Sequence, residues 1–162
     1  MNDRYLFRAK RIDNGEWVEG NIVLSKDADD EYKAIIIPSV NSNMFTQESC
    51  NEDLGFENWY KVDPSTICQY TGLKDVNCKL IWENDILSIS KKMDSIGNYY
   101  HPPVKYPTNV FVRWDLCAWL WETISKNKKD KYYISFPDAW CHYEAEVIGN
   151  IFDEESKLLY GE

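Results

Sequence analysis

Histidine is scarce, glycine is sparse and the cysteines are odd in number: 162 residues hold two His, seven Gly and five Cys. With only His101 and His142 there is little from which to build a nucleophile–base pair, and no Ser or Cys lies in a nucleophile-elbow pattern. The glycines at 15, 20, 55, 72, 97, 149 and 161 form neither G-x-G-x-x-G nor a Walker pattern, so a phosphate cradle has no support. An odd cysteine count without a C-x-x-C pair argues against a disulfide framework and for thiols kept reduced in a cytosol. No run approaches the ~20 apolar residues of a membrane span. The opening MNDRYLFRAKRID lacks the apolar stretch of a signal peptide, so a cytoplasmic chain without a membrane partner is expected. Cations are the minority charge, 18 Lys and Arg against 27 Asp and Glu, for a net −9. That balance opposes attraction to phosphate backbones, and nucleic acid is not an expected partner.

What the chain does have is apolar and aromatic material, 44% and 15% of its residues, enough to bury a core. Its length suits one domain, or two lobes divided as 1–58 and 59–162. Asp13-Asn14-Gly15 between two alternating segments predicts an N-terminal β-hairpin over Arg4–Arg11 and Glu16–Leu24. Tyr32–Ile37, ended by Pro38, reads as a third strand, and its three consecutive isoleucines point to burial on both faces. Ser39–Asn58 is polar and turn-prone with single anchors at Met44, Phe45, Leu54 and Phe56, so an irregular loop with one helical turn is expected. A second strand group starts at Trp59–Val62. Lys91–Thr108 is a long excursion carrying three of the prolines. Asn109–Asp115, Cys117–Thr123, Lys131–Phe136 and Ala145–Phe152 are each short enough for a strand, and Asp153–Leu159 predicts a short C-terminal helical turn. The fold expected is mainly β, in antiparallel barrel-like or sandwich-like lobes with an SH3-like barrel element.

The chain is organised around Ile67–Leu87, an apolar strand, a Thr71-Gly72 break, a polar loop through Asp75, an apolar return to Trp82, and a second turn at Glu83-Asn84-Asp85. Here Gln69-Tyr70-Thr71-Gly72-Leu73-Lys74-Asp75, Ile81-Trp82-Glu83-Asn84-Asp85-Ile86 and Glu146-Val147-Ile148-Gly149-Asn150-Ile151-Phe152 resemble the YopX family of phage and prophage proteins. Phe7-Arg8-Ala9-Lys10 with Trp17-Val18-Glu19-Gly20-Asn21 is similar to that family's N-terminal pattern. The resemblance implies a β-rich fold and a phage or prophage origin, but no agreed activity and no catalytic residues. Cys78 and Asn84 stand where Gly is common in such turns. Asn visits the left-handed backbone region readily, whereas Cys does so less willingly. Tyr70, Gly72, Asp75, Trp82, Asp85 and Gly149 are accordingly structural: Gly72 is expected in a conformation costly to other residues, and Trp82 in the core. Asp75 and Asp85 are expected to bond turn backbone rather than move protons.

No catalytic set, metal site or cofactor is expected. Cys141 and His142 are neighbours, and neighbours on a strand face opposite ways. A zinc site from Cys68, Cys78, Cys117 and Cys141 would lack ligand pairs at typical spacing. The unusual feature is Trp114, Trp119 and Trp121 within eight residues, which with Tyr99 and Tyr100 are candidates for an interface or ligand surface. In an extended segment Trp119 and Trp121 share a face, and such a cluster suits a core, a subunit contact or a stacking platform. The expected function is a non-enzymatic accessory protein that forms a homo-oligomer or binds a host or phage protein. The alternative is a small-ligand or nucleic-acid binding module using the same tryptophans.

Overall fold

The computed structural model describes residues 5–27, 29, 32–40, 44–46, 54–91, 109–115, 118–124, 133–135 and 143–156. The chain divides into two units, Met1–Tyr70 and Thr71–Glu162. The division falls later than the break read at 58/59, because the next short strand pairs into the N-terminal sheet.

In the first unit β1 (Phe7–Lys10) and β2 (Trp17–Leu24) pair antiparallel, Phe7 opposite Gly20 and Lys10 opposite Trp17. The expected hairpin is thus present. Its loop closes by an Arg11 N–H to Glu16 C=O bond of 2.9 Å. β3 (Ala34–Pro38) pairs with β2, and β6 (Tyr60–Lys61) with β3. On the far side β1 meets the first residues of β7 (Cys68–Lys74). Strand alternation sends Ala9, Val18, Ile22, Ala34, Ile36 and Val62 to one face, where Ala9, Ile36 and Val62 are fully buried. Each buried Val or Ile among them contributes about 1.5–3 kcal/mol on burial, and each Ala less. Gly20 is required by close approach: a Cβ there would lie 2.1 Å from the Ile37 carbonyl oxygen of the paired strand. Between β3 and β6 lie β4 (Met44–Thr46) and β5 (Leu54–Phe56), paired as a two-stranded ribbon. This corrects the expectation of an irregular loop with a helical turn. The register sets Met44 opposite Phe56, Phe45 opposite Gly55 and Thr46 opposite Leu54, in strands of only three residues each.

In the second unit the end of β7 turns into β8 (Leu80–Trp82), and β8 into β9 (Asp85–Lys91). β9 is an inner strand of a five-stranded antiparallel sheet with β10 (Asn109–Asp115), β11 (Ala118–Thr123), β12 (Tyr133–Ser135) and β13 (Tyr143–Asn150), in the order β12-β11-β10-β9-β13. Its core face gathers Leu87, Ile89, Val110, Val112, Trp121, Ala145 and Val147, with Ile81 of β8. β13 gains one residue against β9 between Val147 and Gly149, a bulge that leaves Ile148 outside the register. A 3-10 turn follows at Glu154–Ser156, within the expected C-terminal helical stretch.

The fold is mainly β and antiparallel as expected, but the sheets are open rather than closed into a barrel. The barrel-like and SH3-like closure is therefore corrected. Among the described residues the edges are two or three residues long at β6, β8 and β12, and the long edge of β13 is covered by a turn instead of another strand.

Candidate functional site

The first turn of the organising motif is a hairpin loop of Val76, Asn77 and Cys78. It closes by Asp75 N–H to Lys79 C=O at 2.8 Å, with Cys78 N–H reaching the Asp75 carbonyl at 3.0 Å. A residue in the left-handed region usually ends such a loop, and Cys78 fills that place at φ 64°. The buried Asp75 carboxylate accepts three backbone N–H groups: Asn77 and Lys79 through Oδ1, both at 2.8 Å, and Val147 of β13 through Oδ2 at 3.0 Å. Val76 N–H donates to the Ala145 carbonyl at 3.1 Å, and Asn77 Nδ2 to Glu146 Oε1 at 3.1 Å.

The second turn, Glu83-Asn84 between β8 and β9, also holds a non-glycine residue at φ 64°, Asn84. Asp85 is fully buried; its Oδ2 accepts the Trp82 N–H at 2.8 Å and its Oδ1 accepts Asn150 Nδ2 at 3.0 Å. Asn150 in turn accepts the Phe152 N–H, while the Asn84 N–H and C=O bond Val112 C=O and Ile151 N–H. Both aspartates are hydrogen-bonded to turn backbone, as their positions led one to expect. Gly72 has φ 87°, where a side chain is strained, and Trp82 is 1% exposed. Tyr70 is buried with its N–H on the Leu6 carbonyl, and Gly149 sits at the β13 bulge.

The tryptophans separate. Val110, Val112 and Trp114 form one core-facing row of β10, in which the first two are buried and Trp114, past the end of the core, is 52% exposed. Trp114 pairs across the strands with Trp119, ring centroids 5.0 Å apart in an edge-to-face arrangement. Trp119 is half-buried and Trp121, opposite Val112, is fully buried beside Tyr143. Trp114 and Trp119 are therefore surface and rim, and Trp121 is core. Tyr99 and Tyr100 lie outside the described residues, as do Cys117, Cys141, His101 and His142. Cys68 is buried with its thiol toward the Thr66 carbonyl, Cys78 is exposed, and the described residues hold no group of three or more potential metal ligands.

The first unit carries a site that the sequence reading missed. Val23, Ser25, Tyr32, Ile35, Gly55, Phe56 and Trp59 line an open, mostly apolar groove of about 370 Å³. Tyr32 and Trp59 touch each other in a tilted pair, 6.3 Å between centroids, along its lining, and Lys61 Nζ lies 4.0 Å over the Tyr32 ring. Half-exposed aromatics were the available signal, but β5, which contributes Gly55 and Phe56 to the lining, has no sequence signature of its own. Elsewhere in this unit Arg11 and Asp13 form an exposed ion pair; their hydrogen bond raises the guanidinium pKa and lowers that of the carboxyl.

The fold and these turns define a class: an antiparallel, mainly β chain whose recognisable residues build hairpins. A family model described as YopX protein matches residues 6–160, nearly the whole chain. The chain belongs to the YopX family. No curated protein matches it in sequence. Among the described residues no helix is long and apolar enough to cross a membrane.

Proposed function

We propose that this chain is a non-enzymatic accessory protein encoded by a phage or prophage, acting in the host cytoplasm by assembling with itself or with a host or phage protein. The observation that carries this reading is the exposed Trp114, braced edge-on by Trp119 at the end of an otherwise buried row. Rigid, half-exposed tryptophans are enriched at the centres of protein interfaces. The described edges are short or covered, so a face or tip contact is favoured over edge pairing. Sedimentation equilibrium at micromolar concentration tests it: a multiple of the 19.1 kDa chain mass is expected, reduced to the single chain by Trp114→Glu. A single-chain species in the unmodified protein excludes self-assembly and leaves a different protein as the partner. The fully buried Trp121 is unsuitable for this test, since Trp121→Glu would unfold the core.

The groove lined by the contacting Tyr32 and Trp59 rings favours a second reading, a small-ligand module, because its volume falls in the range of ligand pockets. A thermal-shift panel of nucleotides and sugars, repeated on Trp59→Ala, distinguishes the two.

A further inference from the structure

β13 has eight residues, more than any other strand of its sheet, and lies at the sheet's edge. A long edge strand presents unpaired N–H and C=O groups that template pairing with another chain. Here two of those outward groups are taken, the Ala145 carbonyl by the Val76 N–H at 3.1 Å and the Val147 N–H by the Asp75 carboxylate at 3.0 Å. The loop that supplies both is braced on its own account, because the other carboxylate oxygen of Asp75 accepts Asn77 and Lys79 N–H.

The geometry points to a guarded interaction surface: the Asp75–Lys79 turn keeps β13 from pairing antiparallel with β13 of a second copy of this chain. The second copy is the occupant because the covered groups complement themselves. In a two-fold antiparallel pair centred on Glu146, each Ala145 faces a Val147, so each carbonyl now held by Val76 meets an N–H now held by Asp75. Glu146 then faces its own counterpart, and like charges directly opposite weaken such a pair. Association through the bared edge should therefore tighten as salt screens that repulsion, the reverse of a contact held by charge attraction.

The inference is independent of the Trp114 contact and is tested in the full chain carrying Trp114→Glu, so that failure of that contact does not mask it. In sedimentation velocity this background should stay one species at all concentrations. Adding Asp75→Ala should produce concentration-dependent association, several-fold tighter at ~0.5 M than at ~0.05 M salt. Val76→Pro should act the same way more weakly. Proline suits the second position of the turn closed by Cys78 N–H, yet it removes the donor to Ala145. Hydrogen exchange at the Val147 amide supplies the second readout: faster in dilute Asp75→Ala, slow again where the protein associates. A folded Asp75→Ala with a fast Val147 amide and no association would show that the edge is not adhesive. A Val147 amide that stays slow without association would show that Asp75 is not its cover. Should Asp75→Ala fail to fold, Val76→Pro is judged by association alone, and its absence overturns the inference.

Discussion

The two turns that flank β8 look alike locally and are secured in different ways. Each places an aspartate against backbone N–H groups and a non-glycine residue at φ 64°. Asp75 finds two of its three donors two and four residues along the chain, and its third at Val147. Asp85 accepts the Trp82 N–H and the Asn150 side chain, 65 residues away, with no exposure to solvent. The first loop is largely self-sufficient and lends its spare oxygen to an edge strand. The second is completed only when the C-terminal strand arrives. The same residue in similar hairpin settings thus serves as a local brace in one turn and as a tertiary lock in the other.

Trp82→Ala, in the strand between them, should cost about 3–5 kcal/mol, read from the urea midpoint, since a fully buried aromatic leaves a cavity. An unchanged midpoint would detach β8 from the core. Asp85→Ala should cost about 2–4 kcal/mol, since the buried Trp82 N–H and Asn150 Nδ2 each lose a charged acceptor. Asp75→Ala should cost only about 1–2 kcal/mol, since loop donors bared by the change can turn to water. A larger loss for Asp75 than for Asp85 would reverse the comparison. Cys78→Gly should stabilise the protein by about 0.5–1 kcal/mol, because an L residue in the left-handed region costs roughly 1–2 kcal/mol and glycine's extra freedom when unfolded returns part of that. Asn84→Gly should change less, as asparagine tolerates the left-handed region that Asn84 occupies. The smallest effect belongs to Asp13. Its depressed pKa adds stability above the ordinary carboxylate range that is lost as pH falls through the folded-state value. The pair with Arg11 is open to solvent on the Asp13 side, so Asp13→Ala should barely move the melting temperature at pH 7.

How far these features were legible varies with the range of the forces that set them. The Asn14-Gly15 hairpin, the left-handed Gly72 and the turn roles of both aspartates follow from local backbone chemistry and could be read from short stretches, whereas Cys78 and Asn84 were marked only by the family resemblance, as residues standing where Gly is common. Burial of Ile36 and Ile37 followed from the run of isoleucines. The β4–β5 ribbon could not be read, because three-residue strands in a polar stretch show no period. Alternation put Trp119 and Trp121 on one face but said nothing about where along the strand the core ends, and that is what makes Trp121 interior and Trp114 exposed. The missing barrel closure has the same origin. Whether a strand or a turn covers the edge of β13 depends on Asp75 and Val147, 72 residues apart.

That separation also dictates an order of events during synthesis. A polypeptide leaves the ribosome at about 5–20 residues per second, N-terminal domains folding first. The Met1–Tyr70 unit has its strands in hand once β7 begins to emerge. Asp75 and Asp85 then wait on the order of seconds for Val147 and Asn150. Throughout that interval Ile81, Trp82, Ile86 and Leu87 are without β13, and a nascent chain with such a pause is a natural client for a chaperone.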